Sequence, residues 1–237
     1  MTGRNPRSFQ DLLVLVPARA GSKRISNKNE RLLGGSTLID RTLRVIDELG
    51  LQSDAIISSD IPGLEHRYPA WTVRKRPAHL GGDDVTMEAV VIDALDSVQS
   101  EAEDPTWLLL LQPTSPFRRA QTIRDCLARL QQSSAEIDVV MTVNKTFEDL
   151  WLKHGELLSR LRPEQPRSQQ EREPLWIENG SCYAVRVSAL REKKRFDKMT
   201  IVGWETDPAE SLDVNTEMDL KFADWLAELG AEDLSGQ

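Results

Sequence analysis

DLLVLV at residues 11–16, followed at once by PARAGSKRISNKN at residues 17–29, is the stretch that decides the architecture. The first part is a short apolar run rich in β-formers, with no polar residue inside it. Such a run reads as a strand buried on both faces, and Pro17 is expected to stop it. The second part is a Gly- and Lys-rich loop that continues to about Gly35. Ser36 is then expected to cap a helix in which Leu38, Thr42, Val45 and Leu49 recur at helical spacing.

The same alternation continues outward. Residues 54–59 (DAIISS) read as a second buried strand and 71–73 as a short third. Residues 84–99 read as a helix, with Val91, Leu95 and Val98 on one stripe. WLLLL at 107–111 is the most apolar strand and is expected at the centre. A helix over 121–132 and a strand over 138–143 follow. Strands alternating with helices at this spacing predict an α/β fold with a doubly wound, mostly parallel sheet. The rhythm breaks after Thr146. Residues 146–174 are polar and carry Pro163, Pro166 and Pro174, so they read as an excursion from the core, either a mobile loop or an arm that meets another subunit. SCYAVRV at 181–187 resumes the sheet, 200–202 is a short strand, and 216–229 is a closing amphipathic helix. Both chain ends read as frayed.

Bulk properties narrow the function. A chain of 237 residues suits one domain with a modest insertion. No apolar run approaches the roughly 20 residues that span a bilayer. The first eleven residues are polar and the run behind them is too short for a signal-peptide core, so a cytoplasmic location is expected. Net charge is −8 with no long basic stripe, which disfavours nucleic acid. Cys126 and Cys182 have no CxxC partner or nearby histidine pair, so two buried free thiols are expected rather than zinc.

The loop after the first strand carries the chemistry. Ligands of open α/β sheets bind beyond the carboxyl ends of strands, and this loop leaves such an end. Gly21 permits close backbone approach to phosphate oxygens. Arg19, Lys23, Arg24 and Lys28 place four cations within ten residues. A nucleoside triphosphate carries a comparable negative charge. The loop holds neither a Walker motif nor GxGxxG. On composition alone a solvated basic loop fits equally; its position after the first buried strand favours a phosphate site.

VPARAGSKRISNKN with LLGGSTLIDRTL behind it resembles the opening of the CMP-N-acylneuraminate synthetases and their legionaminic and pseudaminic acid relatives. KRPAHLGGDD, LLQPTSPFR, ENGSCYAV and SLDVNTEMDL agree in order, so the resemblance spans roughly residues 12–229. It implies one cytidylyltransferase domain over 1–237, with an arm at 146–178 that serves dimerisation and substrate binding. The implied reaction transfers CMP from CTP to the anomeric hydroxyl of a nonulosonic acid and releases pyrophosphate. Octulosonate activation and a non-catalytic nucleotide-binding relative are the alternatives.

The resemblance also implies residue roles. Arg19, Ser22, Lys23, Lys28 and Asn29 would hold CTP, with Arg19, Lys28 and Asp213 at the reaction centre. Fixed cations there would stabilise charge building on the transferring group. Arg76 and Asp83 would form the base and ribose pocket; a surface ion pair and a helix N-cap are their plainer readings. Gln112 and Thr114 would meet the acceptor sugar, on a turn that two prolines stiffen. Lys153 and Arg167 would pair with the acceptor carboxylate, or else be solvated charges of the excursion. Magnesium would bind at Asp213 and Asn215, where the family commonly has Asp-x-Asp; residues two apart on an extended stretch point the same way. Asn215 offers only a neutral oxygen. Thr216 to Asp219 reads separately as a capping box. A homodimer is expected from the family, and no general base is evident.

Overall fold

A computed structural model describes residues 11–98 and 104–230. In chain order the elements are β1 (Leu12–Ala18), β2 (Leu32–Leu33), β3 (Ser36–Thr37), α1 (Leu38–Glu48), β4 (Ala55–Ser59), α2 (Leu64–Arg67), β5 (Thr72–Lys75), α3 (Met87–Val98), β6 (Trp107–Leu110) and α4 (Ala120–Gln131). Then come β7 (Val139–Thr146), β8 (Trp151–His154), β9 (Leu157–Arg160), β10 (Leu175–Arg186), α5 (Val187–Lys193), β11 (Ile201–Glu205) and α6 (Glu217–Glu228).

Seven strands form one sheet in the order β11-β7-β10-β6-β1-β4-β5. All are parallel except β10, which runs antiparallel to both β6 and β7. The doubly wound, mostly parallel α/β architecture expected from the sequence is therefore present. From β1 the chain builds outward through β4 and β5, then returns to place β6 on the other side of β1. That reversal opens a crevice beyond the carboxyl ends of β1 and β6.

The apolar runs explain the two covered faces. Val14, Val16 and Ala18 join Ile39, Leu43 and Ile46 of α1 and Ile123, Leu127 and Leu130 of α4 in one core. Leu13 and Leu15 join Val91 and Leu95 of α3 and Leu190 of α5 in the other. Successive side chains of a strand face opposite sides, so an unbroken apolar run is what a strand between two helical layers needs. Cys126 and Cys182 are buried and free. The neighbouring Cys182 thiol, and then burial, push the Cys126 thiol up.

Three expectations are corrected. Pro17 does not stop β1, which runs on to Ala18. Leu15 accepts from Leu111 N at 3.0 Å, so residues 15 and 17 face β6, and β6 has ended by then. The missing N–H of Pro17 thus costs no ladder bond. The α1 cap is Thr37, not Ser36: Thr37 Oγ1 accepts from Asp40 N at 3.0 Å, and Thr37 N donates to Asp40 Oδ2 at 2.9 Å. Helix α5, hidden in the sequence behind a strand, follows β10 directly.

The excursion is a built element. Leu152 and Lys153 of β8 pair with Ser159 and Leu158 of β9 in a hairpin. Its tail is tied down by Arg160, whose Nε donates to Asp149 Oδ1 at 2.6 Å and whose Nη1 donates to Gln165 O at 2.6 Å. The segment reads polar in sequence, yet Trp151, Leu152, Leu157 and Leu158 are all exposed on it. Helix α3 is described to Val98, so the expected end at Gln99 lies outside the described residues, as do most residues of both chain ends.

Candidate active site

A third cluster of apolar side chains sits at the carboxyl end of the sheet and builds the site. Ile25 from the loop after β1, Leu33 of β2, Leu38 of α1, Phe117 from the loop after β6, Val214, and Leu220 and Ala223 of α6 pack together. Each such burial contributes about 1.5–3 kcal/mol for a large aliphatic side chain. Four separate chain segments are thereby held around one cleft. Its volume is about 420 Å³. Arg19, Ser22, Lys23, Lys28, Asn29, Arg76, Asp83, Gln112 and Thr114 all line it, together with Arg24 and Met87.

The loop is propped from below. Asp60, the first residue beyond β4, accepts from Ala20 N at 2.5 Å. Asn29 is buried and its Nδ2 donates to Arg19 O at 2.9 Å, so its side chain fixes the loop. Gly21 has φ +62°, the left-handed backbone that glycine adopts without strain. Gly81 is needed for its size: a Cβ there would stand 2.9 Å from Asp60 Oδ2.

The loop cations are partly neutralised across the mouth. Asp83 accepts from Arg19 Nη2 at 2.6 Å and from Lys23 Nζ at 2.7 Å. Those two bonds hold the Asp83 carboxyl below the usual carboxylate range. Asp83 is therefore a counter-ion of the loop rather than the cap of α3; Thr86 Oγ1 accepts from Ala89 N at 3.3 Å instead. Lys23 remains 82% exposed.

Deeper in, Lys28 donates from Nζ to Val214 O at 2.9 Å. Burial lowers the Lys28 ammonium, with Asp213 opposing and Arg24 and Arg19 reinforcing. Arg76 is only 5% exposed, so it is no surface ion pair. It donates through Nη2 to Ser58 O at 2.9 Å and through Nε to Ser58 Oγ at 3.3 Å. Burial lowers its guanidinium too, against the pull of Asp60.

Gln112 and Thr114 enter from the β6 side. Val214 N donates to Thr114 O at 2.8 Å, which stitches the 112–118 loop to the 213–215 segment. Val214 is fully buried, and Asp213 and Asn215 on either side of it are half-buried. Asp213 Oδ1 is buried and has no hydrogen-bond partner among the described residues. An uncompensated carboxylate oxygen is costly, and a hard cation satisfies it. Magnesium keeps several waters and takes one or two protein carboxylates beside phosphate oxygens, so this donor set fits it. The arrangement of Asn215 differs from expectation. Its Nδ2 donates to Asp213 Oδ2, and its Oδ1 accepts from Arg24 Nη2 at 3.4 Å. Asn215 thus presents its donor, not its acceptor, to Asp213. A second carboxylate could not have made that contact.

Lys153 and Arg167 are not brought to the cleft of their own chain. Lys153 lies on exposed β8. Arg167 pairs with Asp149 at 3.2 Å and lies over the Trp151 ring at 5.9 Å.

Two residues escaped sequence reading. Asp60 carries no motif beyond its place after a strand. Arg118 sits inside the quoted LLQPTSPFR yet reads as a surface residue, because arginine rarely goes under. It is 4% exposed and donates through Nη2 to Gln112 O. Burial pulls its guanidinium down to about 10, with Cys182, Glu210 and Asp213 opposing.

A crevice at the switch point of a mostly parallel sheet, lined by fixed cations, is the ligand site of a nucleotide-binding α/β protein. Residues 13–228 match the cytidylyltransferase family model, and the chain belongs to that family of nucleotidyltransferases. It is 29% identical over 231 residues to the CMP-N,N'-diacetyllegionaminic acid synthase of Legionella pneumophila, covering 94% of this chain and 99% of that one. It is 27% identical over 220 residues to the N-acylneuraminate cytidylyltransferase of Streptococcus agalactiae serotype III, covering 87% of this chain and 51% of that one. The chain therefore spans about half the length of the streptococcal relative. A CMP:2-keto-3-deoxy-manno-octonic acid synthetase complexed with CTP shares the fold, with TM-score 0.70, 15% identity, and 93% and 100% of the two chains covered. No helix among the described residues is long and apolar enough to cross a membrane.

Proposed function

We propose that the protein transfers CMP from CTP to the anomeric hydroxyl of a nonulosonic acid of the sialic, legionaminic or pseudaminic type. The observation that carries this is the hydrogen-bonded contact of three segments beside the cleft. Lys28 reaches Val214, and Val214 reaches Thr114, so the cationic loop, the acceptor loop and the carboxylate of Asp213 are one unit. The similarity to the Legionella synthase along nearly the whole of both chains supports the acceptor class.

Arg19, Ser22, Lys23, Lys28 and Asn29 form the triphosphate cradle, and Arg76 with Asp83 the base and ribose side. Fixed donors aimed at the α-phosphoryl and the leaving pyrophosphate stabilise charge where it develops. Asp213 would hold the magnesium ion, which supplies charge neutralisation on the phosphates when bound. Asn215 orients Asp213. Gln112 and Thr114 face the acceptor.

The exposed apolar side chains of the β8–β9 arm, Trp151 and Leu158 on one side of the hairpin and Leu152 and Leu157 on the other, support a homodimer in which the arm packs on a second copy. Lys153 and Arg167 would then serve the partner's cleft, on the acceptor carboxylate. A cytoplasmic location is part of this proposal, in keeping with use of CTP.

The test is a panel of acceptors with CTP and magnesium, read as pyrophosphate release. Release with nonulosonic acids is expected. Release with an octulosonate alone would move the assignment to that acceptor, and no release with any sugar acid would leave a nucleotide-binding protein.

A further inference from the structure

The 112–118 loop borders two cavities. Gln112, Pro113 and Thr114 line the nucleotide cleft; Pro116, Phe117 and Arg118 line a second cavity of about 460 Å³. This one lies over α1 and the first turn of α4. Arg41, Arg44, Arg118, Arg119 and Arg124 line it, with Glu48 as the acid among them.

Five arginines around one cavity stand out in a chain whose net charge is −8. Two of them, Arg44 and Arg124, make their hydrogen bonds among the described residues to neutral oxygens. Arg44 Nη2 donates to Ser36 Oγ at 3.0 Å, and Arg124 Nη2 donates to Glu48 O at 3.4 Å. Arg41 donates through Nε to Leu33 O at 3.2 Å and lies 5.5 Å from the Phe117 ring. Arg119 is paired with Asp207. Arg118 is buried, and its Nε and Nη1 have no hydrogen-bond partner among the described residues. A buried guanidinium with two idle donors is expensive unless something accepts from it. The amino end of α4 is already met by buried Glu210, whose Oε1 accepts from Arg119 N at 3.0 Å and whose Oε2 accepts from Thr122 Oγ1 at 2.9 Å, so the arginines and not the helix end would hold a ligand. Planar guanidinium groups match phosphate oxygens two at a time.

We infer that this second cavity is a binding site for a small phosphate-bearing anion, and that its occupancy is felt in the nucleotide cleft through Arg118 and the 112–118 loop. The path is short: Arg118 holds the Gln112 carbonyl, and Phe117 packs with Val214 in the cluster under Lys28. Binding at the second cavity stands independently of the proposed acceptor.

The experiment is calorimetric titration of inorganic pyrophosphate into three proteins without metal. The unaltered chain is expected to take up pyrophosphate at two sites. Lys28→Ala is expected to weaken one and leave the other. Arg44→Ala/Arg124→Ala, which leaves the buried arginines in place, is expected to weaken that other site at least tenfold. In Lys28→Ala protein, pyrophosphate should also slow amide hydrogen exchange across residues 112–118. A single site that the double variant leaves unchanged would overturn the inference, as would a second site whose filling leaves exchange at 112–118 unaltered. Failure of the acceptor panel would touch the proposed reaction and not this site.

Discussion

The loop after β1 and the β8–β9 arm both leave the same sheet and both carry several cations, yet they are built in opposite ways. The loop turns its apolar residue, Ile25, into a packed cluster and its cations toward a cleft. The arm turns Arg160, Arg167 and Arg172 onto its own Asp149 and leaves Trp151, Leu152, Leu157 and Leu158 exposed. The first is complete within one chain. The second leaves its apolar side chains exposed, which is the basis of the proposed dimer. The number of cations does not distinguish them; the acids beside those cations and what each segment buries do.

The largest effect expected from this contrast is at Lys28. Lys28→Ala should lower turnover by about 10²–10³-fold, the usual cost of one fixed transition-state donor. Its melting temperature should fall by no more than about 4 °C, since one hydrogen bond of about 1 kcal/mol is lost. Steady-state rates and a thermal scan check both. A rate within a few-fold of the unaltered protein would remove Lys28 from the cradle.

Next comes the arm. Trp151→Ser/Leu158→Ser should raise the dimer dissociation constant at least about 100-fold, given about 1.5–3 kcal/mol per large apolar side chain. Sedimentation reads it, with circular dichroism confirming that the protomer stays folded. An unchanged sedimentation coefficient would show that the arm's apolar face meets no second copy.

A titration sharpens the loop's side of the contrast. Burial lowers the Lys28 ammonium below the ordinary 10.5. The charged form is the one that binds phosphate, so CTP affinity should fall as pH rises through that lowered value. Lys28→Arg should move the fall upward in pH, because a guanidinium keeps its proton. Coincident profiles for the two proteins would count against it.

The smallest effect concerns Asn215. Replacing its amide by a carboxylate removes the donor now held to Asp213 and adds a charge. Asn215→Asp should lower the magnesium concentration for half-maximal activity by roughly 5-fold, an attraction of ~1 kcal/mol at a few ångströms in water. Manganese binding followed by electron paramagnetic resonance gives the same comparison without turnover. No change in either would remove residue 215 from the metal's surroundings.

How far the sequence carried this picture depends on what kind of signal each part leaves. The buried strands and the helices α1, α3, α4 and α6 follow from apolar periodicity, since a core-facing pattern is written in consecutive residues. The cradle residues could be named because a cationic loop after a first strand is a local pattern. Lys28 beside Val214, 186 residues away, could be named only through resemblance. Asp60 acts through a contact 40 residues away and Arg118 through its burial, and residue type alone marks neither. The hairpin in the arm was missed because its apolar residues are spread through a polar stretch with prolines. The Asn215 amide shows why residue type alone misleads: the sequence supplies an oxygen, but the structure spends it on Arg24.

A structure of the protein soaked with CTP and magnesium tests the central claim most directly. The triphosphate should lie along the Gly21 backbone within hydrogen-bonding distance of Lys28 Nζ, with the cation on Asp213 Oδ1. A nucleotide seated elsewhere, or a cation bound to the phosphates and remote from Asp213, would contradict it.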